Sequence, residues 1–148
     1  MRVRVSAVFE REQEILCMKY IYGGKEVFAL PGGAVDKDVP LKEAIVDEWR
    51  NEIGVKLEVG EIILIGEARA TKRHPQTLHI IFVALDIVGT PKIRPDSTRS
   101  LDIAWVPVGK LPESPLYPDV GKQLYEYLTG GSGRSIEFIE NCMERGFW

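Results

Sequence analysis

Two glutamates, Glu48 and Glu52, stand four residues apart in a stretch, Leu41 to Glu52, whose apolar members Leu41, Ala44 and Ile45 recur at the spacing of one helix face. Continuing that row along a helix lands on both acids, so they project together and repel. Burying even one unpaired carboxylate costs roughly several kcal/mol, so a positive group is expected between them. A hard divalent cation, Mg2+ or Mn2+, takes oxygen ligands and suits such a pair better than Zn2+ does. Asp47 and Asn51 flank the pair and add two oxygen donors. The plainer alternative is a solvated acidic helix face that happens to border the core.

What precedes the helix favours the cation. The apolar run Val27 to Leu30 ends in Pro31-Gly32-Gly33, a strand running into a turn where absent Cβ atoms let backbone approach a ligand. Such a turn can bare amides toward a phosphate or a carbonyl toward a metal. The order strand, Pro-Gly-Gly, short loop, acidic helix, Gly54 resembles the Nudix hydrolases. Their signature reads Gly, five residues, Glu, seven residues, Arg-Glu, an apolar residue, one more, Glu-Glu, one more, Gly and an apolar residue. Laid without gaps from Gly33 to Val55, it matches at Gly33, Glu48, Trp49, Glu52, Gly54 and Val55. It departs at Val39, where the family has its first Glu, at Asp47, where it has Arg, and at Asn51, the first of its Glu-Glu pair.

The resemblance implies Glu48 and Glu52 as catalytic and metal-binding residues, the Gly33 carbonyl as a further metal ligand, and Mg2+ or Mn2+ as cofactor. It implies cleavage of a phosphoanhydride bond in a nucleoside diphosphate derivative, such as ADP-ribose or a nucleotide sugar, or in a nucleoside triphosphate. The family's early Glu and its Arg pair to brace the loop against the helix; at Val39 and Asp47 both are gone together, which leaves no orphan charge. Asn51 replaces a metal-binding carboxylate with a neutral amide that still offers an oxygen. These three departures motivate a second reading, a nucleotide-binding or regulatory module that has lost turnover.

The elements that must position this box follow from pattern and punctuation. Val3 to Phe9 and Ile15 to Tyr22 read as strands joined in a hairpin across the charged turn Glu10 to Glu14. Gly23-Gly24 leads into a third strand, Glu26 to Leu30, and the acidic helix begins near Asp38 and Pro40. Val55 to Ala70 is strand-rich with a break near Gly60, His79 to Val88 is the most apolar strand, and Ala104 to Val108 adds a short one. Two helices are expected at the end, Pro118 to Leu128 and Ser135 to Arg145, separated by Gly130-Gly131-Ser132-Gly133. Strands interleaved with helices suit an α/β fold, a mixed β-sheet sandwiched by helices; the resemblance implies the same Nudix-type α/β/α sandwich.

Its 148 residues, 45% hydrophobic and 28% charged, suffice for one core, so a single domain over 1–148 is expected. A net charge of -3 argues against a duplex nucleic-acid binder while allowing a small-molecule nucleotide substrate. No apolar run approaches the roughly 20 residues of a membrane span, and Met1-Arg2-Val3-Arg4 leads into a strand, so a cytoplasmic protein is expected. Cys17 and Cys142 make neither a disulfide framework nor a zinc motif and read as reduced packing residues.

Outside the box, Arg69, Lys72 and Arg73 form a basic cluster after a strand, and Arg69 and Arg73 are candidate substrate-binding residues; a solvated loop is the alternative. In the family a late-loop acid often assists as base or metal ligand, and Asp96 or Asp102, ahead of Trp105, could serve, with neither position fixed by spacing. The general base is then Glu48, Glu52 or that acid. His74 and His79 belong to no metal-spaced set. Tyr117 and Trp148 have faces that suit stacking on a base, although packing serves as well, and Phe147 with Trp148 would anchor the C-terminus. Ile136, Phe138, Ile139 and Met143 would give the last helix an apolar face that closes the core or a homodimer.

Overall fold

Valines alternate along β1 (Arg2–Val8), and the alternation sends Val5 and Ala7 into one core and Val8, on the face shared with Arg4 and Ser6, into another. The computed structural model describes residues 1–130, 136–143 and 145. After β1 come β2 (Glu10–Arg11), β3 (Glu14–Tyr22), β4 (Lys25–Ala29), β5 (Gly32–Ala34), α1 (Leu41–Ile53), β6 (Lys56–Ala68) and β7 (Thr77–Val88). Then follow β8 (Asp102–Pro107), a 3-10 helix (Val108–Glu113), β9 (Leu116–Tyr117), α2 (Gly121–Gly130) and β10 (Glu137–Ile139).

Two mixed sheets result, one ordered β10-β6-β7-β1-β5 and one ordered β2-β3-β4-β9 with β8 added against β3. Helix α1 buries Ala44, Ile45, Trp49 and Ile53 against Val5, Ala7, Ile80 and Phe82. On the far side Val120 and Leu124 pack with Val8, Ile15, Cys17 and Ile81. The sheets therefore lie between α1 and α2, the expected α/β/α arrangement, with two mixed sheets where one was expected.

Two expectations fail. The hairpin between the first two long strands does not form: β1 pairs antiparallel with β5 and parallel with β7, whereas β3 pairs with β2, β4 and β8 in the other sheet. Glu12 and Gln13, both at positive φ, close a tight two-residue turn of their own, so β3 folds back on Glu10–Arg11 and not on β1. Pairing of β1 with a strand some seventy residues away leaves no local trace (Arg2 opposite Thr77). The final helix is also absent among the described residues, where Glu137–Ile139 is instead a parallel edge strand on Leu64–Gly66. Cys142 accordingly sits in a turn, fully buried, its N–H donating to the Glu67 carbonyl at 3.0 Å and its carbonyl accepting the Asp119 N–H at 2.7 Å. The glycine-rich link from 131 to 133 and the pair Phe147 and Trp148 lie outside the described residues.

Most other boundaries hold to within a residue or two, and α2 starts three residues later than expected, at Gly121. Gly23 and Gly24, both at positive φ, make the turn between β3 and β4. The expected break near Gly60 is a bulge in one continuous strand, with register shifts from Glu58 to Leu64. No helix among the described residues is long and apolar enough to cross a membrane.

Candidate active site

Helix α1 ends at Gly54, whose φ of 71 places it in the left-handed region; its N–H donates to the Arg50 carbonyl at 3.2 Å. Within the helix the core row is one residue out of phase with the acids. Trp49 and Ile53, both fully buried, carry the stripe begun by Ala44 and Ile45, and this turns Glu48 and Glu52 onto its rim, each half-buried. The drift of 3.6 residues per turn accounts for the shift. Neither a core position nor a solvated face describes the pair.

The glycine turn closes on that rim. A Cβ placed on Gly33 would stand 2.5 Å from Cδ and 2.7 Å from both carboxylate oxygens of Glu48, and one placed on Gly32 would drive into the backbone of Val5 and Ser6. Only glycines let the turn reach both β1 and the helix. Burial first, then the charge of Glu48, push the Glu52 carboxyl up to about 7, with Arg4 pulling the other way. Burial likewise raises Glu48, opposed by Arg4 and assisted by Asp36 and Asp47.

Arg4 escaped the sequence reading. It is 7% exposed on β1, its Nη2 donates to the Leu30 carbonyl at 3.0 Å, and its guanidinium lies 4.9 Å from the centre of the Tyr117 ring. Its strand position, on the buried face of an alternating run, was the available signal. Burial lowers its pKa, which the neighbouring Tyr117 and Glu52 partly offset.

Beside Glu52 opens a cavity of about 490 Å³ lined by Tyr20, Pro95, Asp96, Ser97, Thr98 and Arg99. The loop that builds it is pinned to the end of α1, since Lys92 and Arg94 donate their N–H groups to the carbonyls of Ile53 and Glu52 at 3.0 and 2.8 Å. The Tyr20 and Thr98 hydroxyls lie 3.3 Å apart across its wall. Of the two late-loop acids, then, Asp96 shares a cavity with Glu52, whereas Asp102 is exposed and accepts the Ile103 N–H. Asp47 forms an ion pair with Arg50, Asn51 is exposed and lines a different cavity with Lys92, Arg94 and Asp96, and Val39 packs against the core. Arg69 and Arg73 are exposed; the cavities that Arg69 lines include neither glutamate, and Arg73 donates its N–H to the Thr71 hydroxyl. Tyr117 lies edge-on to buried His79, 5.3 Å between ring centres, so it packs beneath the sheet.

A model of the NUDIX domain matches residues 1–128, which span this box from end to end. The chain belongs to the Nudix family. Among curated proteins no match is found. Solved structures similar to this Nudix chain include a MutT NUDIX hydrolase from Burkholderia pseudomallei, at 25% identity and TM-score 0.72, with 86% of this chain and 98% of that one covered. An ADP-ribose pyrophosphatase from Streptococcus suis is 20% identical at TM-score 0.63, with coverage of 93% and 98%. A MutT protein from Methanosarcina mazei Go1 is 21% identical at TM-score 0.69, with coverage of 86% and 95%. At such identities the shared feature is the Nudix fold.

Among the described residues no group of three or more His, Cys, Asp and Glu side chains gathers closely enough to hold a metal by itself. The oxygen donors at hand are the carboxylates of Glu48 and Glu52 and the backbone of the Gly33 turn that closes on Glu48. Hard oxygens, two like charges brought together and one buried arginine as counter-charge make a donor set that fits Mg2+ or Mn2+ whose remaining ligands come from water or phosphate.

Proposed function

We propose that this Nudix chain hydrolyses a phosphoanhydride bond in a small nucleotide, either a nucleoside diphosphate derivative such as ADP-ribose or a nucleotide sugar, or a nucleoside triphosphate. The observation that carries the reading is the half-buried Glu48–Glu52 pair, with Glu48 pressed against the Gly33 turn and the Tyr20–Asp96 cavity opening beside Glu52. Glu48, Glu52 and the Gly33 carbonyl would hold Mg2+ or Mn2+. When bound, the cation neutralises phosphate oxygens and lowers the pKa of an attacking water.

The protein's own contribution is placement. Glu48 and Glu52 sit on a helix whose buried row fixes their orientation, and a side chain at Gly33 would displace the Glu48 carboxylate. Glu52, half-buried at the mouth of this cavity, and Asp96 across it are the candidate bases. The ring of Tyr20 and the polar wall from Ser97 to Arg99 supply surface for the nucleoside side of the substrate. Arg69 and Arg73 are exposed, and neither lines the cavity beside Glu52. The names of the Streptococcus suis and Burkholderia pseudomallei neighbours support the reaction class without choosing between substrates.

The test is incubation with a panel of nucleoside diphosphate derivatives and triphosphates plus Mg2+ or Mn2+, beside a Glu52→Gln variant. Metal-dependent cleavage that the variant loses is the expected result. A second reading, nucleotide binding without turnover, is favoured by one observation, the outward-facing neutral Asn51. Calorimetry showing an intact nucleotide bound tightly and not consumed would establish it instead.

A further inference from the structure

With Val39 packed against the core and Asp47 turned to Arg50, neither position supplies the charged pair that would brace the glycine turn against α1. The turn is nevertheless held, from beneath. The Trp49 indole N–H donates to the Pro31 carbonyl at 2.9 Å, and the same carbonyl accepts the Ala7 N–H at 3.2 Å. One residue earlier, the Leu30 carbonyl accepts Nη2 of Arg4 at 3.0 Å, while the Leu30 N–H donates to the Tyr117 carbonyl at 2.9 Å. Trp49 is fully buried and lies between Glu48 and Glu52 on the same two turns of helix. Packing alone would be served by any large apolar residue; the indole adds a bond that ties the helix bearing the acids to the backbone just before Gly33.

We infer that Trp49 and Arg4 are positioning residues, a clamp that fixes the Gly33 carbonyl relative to the Glu48 and Glu52 carboxylates and so sets the geometry of the divalent-cation site. This rests on the hydrolase reading above. Neither residue touches the cation or the phosphates; Trp49 acts through Pro31, and Arg4 acts through Leu30 and as the buried counter-charge of the acids. Hydrogen-bonded supports of this kind typically govern metal affinity by about 10–100-fold.

The experiment is a Mn2+ titration of the full chain, following free Mn2+ by its paramagnetic resonance signal, with thermal unfolding and the metal dependence of kcat and KM measured alongside. Trp49→Phe keeps an aromatic ring in the core and removes only the N–H. Arg4→Lys keeps the charge and removes the fork. The clamp requires each variant to bind Mn2+ about tenfold more weakly or worse, with the loss appearing in the KM for metal more than in kcat at saturating metal. Folded variants whose Mn2+ affinity stays within twofold of wild type would overturn the clamp and leave the hydrolase reading standing. Should Trp49→Phe fail to fold, Arg4→Lys decides by the same criterion. A wild-type chain that neither binds Mn2+ nor cleaves any nucleotide would remove the hydrolase reading and the clamp with it.

Discussion

The two faces of the β-sheets treat polar groups in opposite ways. Under α1 the carboxylates of Glu48 and Glu52 are kept half-buried, within reach of solvent. On the opposite face of β1 and β7, Ser6 and His79 are about 1% exposed, and the Ser6 hydroxyl and both His79 ring nitrogens have no hydrogen-bond partner among the described residues. Arg4 spans the two environments, with Nη2 bound to the Leu30 carbonyl and Nη1 buried without a partner among the described residues. Half exposure leaves a charge free to meet a ligand; full burial makes a polar group a standing cost to the fold. The difference separates the working face from the framework face without reference to any motif.

The largest effect that would sharpen this contrast is on catalysis. Glu52→Gln is expected to lower metal-dependent turnover by about a thousandfold, roughly 4 kcal/mol, while leaving thermal stability equal or higher, because a repelling charge has gone. Product chromatography and a melting curve read the two halves; a stability loss matching the activity loss would break the contrast.

Acid should act on the faces in opposite directions. Burial, with Arg4 and Arg2 adding to it, lowers the folded pKa of His79 to about 3, below its ordinary 6.5. As pH falls below 6.5 the unfolded chain takes up that proton first, so the stability associated with neutral His79 is intact above 6.5 and drains away toward 3, by roughly 2 kcal/mol at pH 5. Glu52, raised to about 7, does the reverse, because in metal-free protein the folded state binds its proton first as pH falls toward the ordinary carboxylate value of 4.5. Denaturant unfolding at pH 7 and pH 5 should therefore show His79→Leu losing less stability on acidification than wild type, and Glu52→Gln losing more. Parallel pH profiles in all three proteins would refute the assignment.

A smaller effect is expected where the glycine turn meets the helix. Gly33→Ala puts a methyl group against the Glu48 carboxylate and should weaken Mn2+ binding about tenfold with little change in melting temperature, as titration and calorimetry would show. The smallest is Asn51→Glu. That position faces away from the glutamate rim, so restoring the family's acid should raise kcat/KM only about threefold, roughly 0.6 kcal/mol; a gain of a hundredfold would mean that the side chain swings inward when metal is present.

The box was legible because its information is local. A glycine turn, a helix period and two acids lie within one stretch of the chain, and Gly33 meets Glu48 while both acids share the rim of one helix face. Most strand boundaries were legible for the same reason, period-two alternation punctuated by Gly23-Gly24 and Gly54. What was not legible is carried by distant partners. The parallel pairing of β1 with β7 decides that β1 leaves β3, and the edge of β6 turns Glu137–Ile139 into a strand although its neighbours carry a helical apolar spacing. Arg4 shows the limit most sharply, since nothing in Val3-Arg4-Val5 says that Leu30 will stand 3.0 Å from its guanidinium. Arg69 shows the converse, a charge that looked placed for substrate and lines cavities that include neither Glu48 nor Glu52.

Cys142 turns the fastening of the C-terminal segment into something that can be timed. Burial pushes its thiol up to about 12, and Cys17, in the middle of β3, is raised as well, so alkylating reagents should find no reactive thiolate in the native protein. The Cys142 side chain seats against Gly66, where a Cβ would come within 2.9 Å of its sulfur, so its modification requires the segment to peel from the edge of β6. Cys17 is exposed only when the sheets come apart. Two thiols in one chain thus keep separate clocks, one for local unzipping and one for global unfolding, and the ratio of their alkylation rates measures how firmly the tail is sewn to the sheet.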